Sequence, residues 1–251
     1  MAIFKQNLSQ FPNAKAACLL VHGLNNKPEV LFDIANFLES LSLPSVIIGL
    51  TGHNNDITNL ESITKKIWHQ DVLDGYKLIK KKCDDVYFIG FSLGASIGLD
   101  MISESIHYKK MILLAPAIAP RIPVKFLDYI SPVLPSLPLY SMAPKSYIAN
   151  KYLPLKCYKV LLSIYKSVHK KKFASANIPT LVFADPKDET MSLGDIKKLI
   201  ENYQLSNWKL ILLDSNNVVS KVSFHHLIVD REAMGFENWE VFKKEVFAFL
   251  E

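Results

Sequence analysis

The most informative stretch of the chain joins an apolar run to a serine flanked by glycines, and it reads Val86-Tyr87-Phe88-Ile89-Gly90-Phe91-Ser92-Leu93-Gly94. The apolar run predicts a buried strand, and residues 95–106 after it can form a helix. A serine on so sharp a strand-to-helix turn adopts a strained backbone, which requires small residues two positions away on either side. Its hydroxyl then projects free of the sheet, at a helix N-terminus that favours negative charge. The stretch therefore predicts a nucleophile elbow at Ser92, with an ordinary strand-to-helix turn as the plainer alternative.

Outward from this stretch, short apolar runs alternate with longer amphipathic segments. The runs that predict strands are 17–22, 45–50, 85–91, 110–115, 180–184 and 209–214. The segments that predict further helices are 28–41, 67–82, 192–202 and 238–250. This alternation predicts an α/β protein with a mostly parallel central sheet and helices on both faces.

The composition is that of a globular protein, with 49% hydrophobic and 21% charged residues in 251 positions. No stretch approaches the roughly 18 apolar residues that span a bilayer, and the first residues do not resemble a secretory signal. The three cysteines are widely scattered and lack the spacing of metal ligands. We therefore expect free thiols in a reducing compartment and a cytoplasmic protein.

Residues 118–175, which we call the insertion, interrupt the alternation between two predicted strands. The insertion has a formal charge of +9, whereas the rest of the chain has −4. It also contains six of the ten tyrosines, seven of the thirteen prolines and no glycine. We therefore expect a core made of residues 1–117 and 176–251 and an inserted subdomain. Its charge could attract an anionic membrane or an anionic substrate, or could simply be solvated, and no motif indicates nucleic-acid binding.

Carboxylates and histidines follow the last predicted strands. Asp185, Asp188 and Glu189 come directly after strand 180–184, and segment 223–230 contains His225 and His226. A serine hydroxyl needs a histidine to accept its proton and a carboxylate to orient that histidine. The chain order of serine, acid and histidine is the order found in hydrolases with a nucleophile elbow.

A polar loop follows the first clear strand, in the segment Leu20-Val21-His22-Gly23-Leu24. Acyl transfer generates an oxyanion, which two preorganised N–H groups can stabilise. The sequence predicts that these donors are the backbone N–H groups of Leu24 and Leu93, with Gly23 allowing the backbone to approach.

Taken together, these motifs resemble those of the α/β-hydrolase superfamily, in particular its monoacylglycerol lipase and small carboxylesterase branch. The features that carry the resemblance are His22-Gly23, Gly52-His53, the elbow with Gly90 and Gly94, the loop from Pro179 to Asp188 and the His225 segment. The resemblance implies a serine hydrolase that cleaves a carboxylic ester and needs no cofactor or metal. It assigns Ser92 as nucleophile.

The resemblance also ranks the acids and the histidines. The spacing from Pro179 favours Asp188 as the catalytic acid, with Asp185 as the alternative. An acid five positions later, Asp230, favours His225 over its neighbour His226 as the catalytic histidine.

In this family an insertion at this place forms a cap over the nucleophile, which implies a mainly helical cap here. Its many apolar and aromatic residues suit an apolar acyl group, and the partner we expect is a small-molecule ester. The same residues would serve a thioesterase, an acyltransferase or a carbon–carbon bond hydrolase. A ligand-binding protein on a hydrolase scaffold is a further alternative. The sequence makes no prediction of oligomeric state.

Overall fold

The computed structural model describes residues 3–53, 57–103, 105–131, 133–171, 173–214 and 224–251. Lys172 of the insertion and Ser223 of the predicted histidine segment lie outside the described residues. Over these ranges the strands are β1 (Ile3–Gln6), β2 (Ala16–Val21), β3 (Ser45–Ile48), β4 (Asp85–Phe91), β5 (Lys110–Leu114), β6 (Pro138–Tyr140), β7 (Tyr152–Pro154), β8 (Thr180–Ala184) and β9 (Trp208–Leu212).

Seven of these strands form one sheet in the order β1-β3-β2-β4-β5-β8-β9. Each pair of neighbours is parallel except β1 and β3, which are antiparallel. The six strands predicted from the sequence are the six parallel ones, so the mostly parallel sheet is confirmed. Because the carboxyl ends of parallel strands meet at one edge, the loops after β2, β4, β8 and β9 gather there.

The α-helices are α1 (Phe32–Ser40), α2 (Lys65–Lys80), α3 (Leu93–Met101), α4 (Ile122–Ile130), α5 (Leu155–Lys171), α6 (Leu193–Asn202), α7 (Arg231–Met234) and α8 (Phe236–Leu250). Short 3₁₀ helices span Leu8–Gln10, Pro28–Leu31, Ile57–Ser62 and Phe173–Ser175. The helix predicted over 95–106 is shorter than expected, because the backbone of Ile102 leaves the helical conformation after Met101, with ψ at 126°. Ser192 caps α6, since its hydroxyl accepts the Asp195 N–H.

The core lies on both faces of the sheet. Along β2, Leu19 and Val21 belong to one apolar cluster, whereas Cys18 and Leu20 belong to the other. Alternate residues of a strand point to opposite faces, so both faces of this strand are buried. Helices α2, α3 and α6 contribute to the first cluster, and α1 and α8 contribute to the second. Burial on both sides explains why the predicted strands are apolar without alternation.

The insertion supplies α4, β6, β7 and α5 between β5 and β8. Strands β6 and β7 pair with each other in a separate antiparallel sheet, and α5 packs against α3 and α4. This segment therefore lies next to the helix that follows Ser92. In the described part of the chain, no helix has the length and apolar character required to cross a membrane.

Candidate active site

Ser92 lies on a sharp turn between β4 and α3. Its backbone angles are φ 49° and ψ −111°, a conformation that residues other than glycine rarely adopt. The Ser92 N–H donates to the Leu114 carbonyl at 2.9 Å, and the Ser92 carbonyl accepts the Ala117 N–H at 3.1 Å. The strained residue is therefore held from the carboxyl end of the neighbouring strand β5.

The two glycines of the elbow are required by close backbone contacts. A Cβ atom on Gly90 would lie 2.6 Å from the backbone of Ala95. One on Gly94 would lie 2.2 Å from the Val21 carbonyl oxygen. Neither backbone atom can move aside without shifting a helix or a strand. The absence of these side chains thus lets α3 start against β4 and against the end of β2.

The Ser92 hydroxyl belongs to a chain of three buried side chains. Its Oγ lies 2.9 Å from Nε2 of His226, and Nδ1 of the same ring lies 2.8 Å from Oδ2 of Asp188. All three residues are buried. Because an ionised carboxylate can only accept, the His226 Nδ1–H donates to Asp188, and the Ser92 hydroxyl donates to the free Nε2.

Asp188 is held in a dense set of hydrogen bonds. Its Oδ1 accepts the N–H groups of Thr190 and Met191 at 2.7 and 2.8 Å, and also the Thr190 hydroxyl. Burial by itself raises the pKa of Asp188, but the facing His226 and these donors outweigh it and lower the pKa below its usual value. The carboxylate opposite the imidazole therefore stays ionised at neutral pH.

The structure corrects the expectation that His225 reaches Ser92. It is His226 that contacts the serine, whereas Nδ1 of His225 lies 3.0 Å from Oδ2 of Asp185. Asp230, whose spacing of five positions favoured His225 in the sequence, makes different contacts. It caps α7 by accepting the Ala233 N–H, and it accepts the Tyr147 hydroxyl hydrogen bond at 3.2 Å. Burial, as the largest cause, raises the pKa of Asp230 to about 6.

Adjacent residues in the irregular segment 224–230, the histidine loop, project differently, so counting positions from Asp230 could not identify the ring that faces Ser92. The ring of His226 contacts two aromatic side chains, with centroids 5.3 Å from Phe91 and 5.8 Å from Phe224. One feature of the sequence could have indicated that each histidine has its own acid. Two acids three positions apart, Asp185 and Asp188, match two adjacent histidines, so each ring can have its own carboxylate.

The loop expected to stabilise an oxyanion, residues 22–27, lies against the elbow. A Cβ on Gly23 would lie 2.7 Å from the ring of Phe91, the residue before Ser92. Leu24 follows this close contact and is half-buried. Leu93 is the first residue of α3, and the first N–H groups of an α-helix have no partner within the helix.

His22 and His53 brace the loops around this site without contacting Ser92 in the described hydrogen bonds. Nε2 of His22 accepts the Leu50 N–H at 3.0 Å, so Nδ1 carries the proton and donates to the Gly23 carbonyl. The two imidazole centroids are 5.0 Å apart. Burial, followed for His22 by the neighbouring His53, lowers the pKa of His22 to about 3, and burial lowers that of His53 to about 4.

The insertion is hydrogen-bonded to the loop after β2, the loop after β3 and the loop that contains Asp188, which the sequence did not predict. Asn25 and Asn150 form two reciprocal bonds, from the Asn25 side-chain amide to the Asn150 carbonyl and from the Asn150 N–H to Asn25 Oδ1. The Asn150 side chain also donates to the Gly52 carbonyl at 2.8 Å, and Arg121 Nε donates to the Asp188 carbonyl at 2.9 Å. These contacts fix the insertion to the edge of the sheet where Ser92 lies.

The arrangement can activate a hydroxyl. Nε2 of His226 is placed to accept the Ser92 proton, and Asp188 is placed to stabilise the resulting imidazolium. Within the described ranges, no group of three or more histidine, cysteine or acidic side chains has the arrangement of a metal site.

Comparisons with known proteins bear on the fold of the chain. No protein-family model matches the chain. A thermostable monoacylglycerol lipase of Bacillus sp. (strain H-257) is 26% identical over 87 residues, which is 35% of this chain. The match also spans only 35% of the length of that curated relative.

Solved structures match nearly the whole chain. One reported with LipS and LipT, two metagenome-derived lipolytic enzymes, has a TM-score of 0.76 at 16% identity and covers 94% of this chain and 93% of its own. A soluble variant of monoglyceride lipase from Saccharomyces cerevisiae has a TM-score of 0.74 at 12% identity, with coverages of 95% and 86%. The monoacylglycerol lipase of Paleococcus ferrophilus has a TM-score of 0.69 at 13% identity, with coverages of 100% and 98%. The chain therefore has the α/β-hydrolase fold and is similar in structure to monoacylglycerol lipases and other lipolytic enzymes built on it.

Proposed function

We propose that this protein is a serine hydrolase that cleaves a carboxylic ester. The observation that carries the proposal is the unbroken hydrogen-bonded chain from Asp188 through His226 to Ser92. Its three side chains are buried, and the serine sits in the strained conformation of a nucleophile elbow. The likeness to lipases and esterases supports the same reaction class.

In the proposed mechanism, the Ser92 oxygen attacks the acyl carbonyl while Nε2 of His226 accepts the hydroxyl proton. Asp188 holds the ring in the required tautomer and stabilises its positive charge. The N–H groups of Leu24 and Leu93 donate to the oxyanion of the tetrahedral intermediate. His226 then protonates the leaving alcohol, which produces the acyl-enzyme. A water molecule activated by His226 hydrolyses that ester and restores Ser92.

We propose that the acyl group is apolar and that the insertion acts as a cap over the site. The hydrogen bonds from the insertion to the loops around Ser92 support the cap. Exposed aromatic side chains on α4, such as Phe126 and Tyr129, provide apolar surface that an acyl chain could contact. Two of the similar structures are named as monoacylglycerol or monoglyceride lipases, so a monoacylglycerol is the first substrate to test.

We further propose that the insertion makes peripheral contact with anionic membranes. Val133, Leu134 and Met142 are at least half exposed, and the exposed Lys145 and Lys151 belong to the same segment. Apolar side chains beside cations are the combination that binds the headgroup region of an anionic bilayer.

The three cysteines are buried and unpaired, which supports a reducing compartment such as the cytoplasm.

The test is hydrolysis of p-nitrophenyl esters of increasing acyl length by the wild type and by Ser92→Ala, together with fluorophosphonate labelling. Ser92→Ala should lose labelling and turnover on every ester, because no other hydroxyl contacts His226 in the described hydrogen bonds. Ser40→Ala is the matched control, since Ser40 is exposed at the end of α1. Full activity of Ser92→Ala would overturn the assignment.

The same assay tests the acyl group and the membrane contact. The wild type should prefer medium or long acyl chains, and anionic vesicles should raise the rate on the longer esters. Equal rates on all chain lengths, unchanged by vesicles, would contradict both proposals. Faster turnover of a thioester, a diketone or an acyl acceptor other than water would reassign the reaction while retaining the nucleophile.

A further inference from the structure

Glu189 contacts the backbone of both adjacent histidines. Its Oε1 accepts the His225 N–H at 3.1 Å, and its Oε2 accepts the His226 N–H at 3.0 Å. One half-buried carboxylate thus takes two consecutive backbone donors of the histidine loop. Hydrogen bonds to an ionised acceptor are shorter and stronger than those between neutral groups.

These bonds act on the backbone, whereas other groups hold the rings. The His226 ring is bound by Asp188 and Ser92 and contacts the rings of Phe91 and Phe224. The His225 ring is bound by Asp185. The direction in which each ring leaves the chain depends on the orientation of the two peptide units, and these are the units that Glu189 binds.

We propose that Glu189 is a positioning residue that selects which of the two histidines faces Ser92. The inference rests on the proposed function, in which His226 is the base. With both peptide N–H groups on one carboxylate, the backbone directs residue 226 towards Ser92 and residue 225 towards Asp185. Without that carboxylate, the loop can rotate or shift, and Nε2 of His226 spends less time within reach of the serine hydroxyl.

The substitution Glu189→Gln removes the negative charge and replaces one acceptor oxygen with a donor, while the side chain keeps its length. Glutamine has nearly the size of glutamate, but its amide nitrogen is a donor and would face a second donor at one of the two backbone N–H groups. That N–H group loses its partner, and the loop must adjust to recover one. A misplacement of about 1 Å can reduce an enzymatic rate by roughly 100-fold.

The first measurement is steady-state hydrolysis of a soluble p-nitrophenyl ester by Glu189→Gln. We expect kcat to fall roughly 10- to 100-fold, with KM within about twofold of the wild type, because the substrate itself does not contact Glu189 in this proposal. Glu201→Gln is the matched control, since Glu201 is exposed on α6. A kcat of Glu189→Gln within twofold of the wild type would overturn the inference.

A double-mutant cycle with His226→Ala separates positioning from general support of the fold. If Glu189 acts through His226, Glu189→Gln should lower the residual rate of His226→Ala by less than about twofold. Equal losses in the wild-type and His226→Ala backgrounds would instead assign Glu189 a structural role and overturn the inference.

A further variant keeps the test decisive if Glu189→Gln does not fold, as judged by circular dichroism. Glu189→Asp retains the charge but is one methylene shorter, so it should lower kcat less than Glu189→Ala does, again only when His226 is present. Equal kcat values for the two variants would count against the inference. Full activity of His226→Ala alone would overturn the proposed function, a result distinguishable from failure of Glu189→Gln.

Discussion

Two histidine–aspartate pairs lie side by side in this protein, and they differ in what lies beyond the imidazole. In the Asp185–His225 pair the ring nitrogen and carboxylate oxygen are 3.0 Å apart, and in the Asp188–His226 pair they are 2.8 Å apart. The His225 side chain is 23% exposed, whereas that of His226 is 9% exposed. Only the second pair has a serine hydroxyl on the opposite ring nitrogen in the described hydrogen bonds.

The contrast shows that a carboxylate beside a histidine does not make that histidine a candidate base. Both pairs have the residue types and the distance required for an oriented imidazole. What distinguishes His226 is its position over the strained elbow, which depends on contacts of the histidine loop with Ser92, Asp188 and Glu189. Predictions that remove one member of each pair test whether this difference matters for catalysis.

The largest expected effect comes from removing each ring. His226→Ala should lower kcat/KM on a p-nitrophenyl ester roughly 10⁴- to 10⁶-fold, because Ser92 loses the group that accepts its proton. His225→Ala should lower it less than about 10-fold, since its ring does not contact the serine. Rate measurements on both purified variants check this, and the reverse order of the two losses would restore His225 as the base.

Replacing each carboxylate should give a smaller but parallel contrast. Asp188→Asn should lower kcat roughly 10²- to 10⁴-fold, because an amide cannot stabilise the imidazolium and favours the wrong tautomer. Asp185→Asn should lower it less than about 10-fold. Steady-state kinetics at neutral pH measure both losses, and similar losses for the two variants would show that the pairs act as one unit.

His22, whose ring is hydrogen-bonded to backbone groups, offers a comparison with the two histidine–aspartate pairs through the pH dependence of stability. His22 is buried between backbone groups, with its pKa lowered to about 3, whereas the unfolded value is about 6.5. The unfolded chain therefore binds a proton that the folded chain does not, at every pH between these two values. The stability from a neutral His22 is complete above pH 6.5 and is lost as the pH falls towards 3.

At pH 5 the difference between the folded and unfolded pKa values of His22 lowers the free energy of unfolding by about 2 kcal/mol relative to pH 8. Denaturant unfolding of the wild type and of His22→Asn at both pH values measures it. Asparagine does not titrate, so the difference between the two pH values should shrink by about 2 kcal/mol in the variant. An unchanged difference would mean that His22 does not govern the acid sensitivity.

The strands were predictable because each is a short apolar run bounded by polar residues, and burial on both faces of a parallel sheet demands such runs. The strand β1 was missed. Its residues Ile3–Gln6 are only half-buried or exposed, and its pairing with β3 is set by contacts 40 or more positions away. The C-terminal end of α3 also needed the structure, because the helix ends at Met101, whereas the sequence predicted it through residue 106.

The site was predictable where local geometry demands particular residues. The glycines of the elbow are required by backbone contacts that any residue with a Cβ would break, so the motif predicts the sharp turn at Ser92 from the chain alone. The loop that contains Asp185 and Asp188 was identifiable because it directly follows the buried strand β8. The contributions of Glu189 and Asn150 were not, because Glu189 accepts backbone N–H groups of the histidine loop and Asn150 donates to the Gly52 carbonyl, and both partners are distant in sequence.

By itself, then, the sequence determined the parallel sheet, the strained serine and the order of serine, acid and histidine, because each follows from local sterics or from burial of a continuous run. Only the tertiary structure decided which of two adjacent histidines meets the serine. His225 and His226 are identical in type and neighbours in the chain. The orientation of their peptide units depends on a carboxylate 36 and 37 positions away.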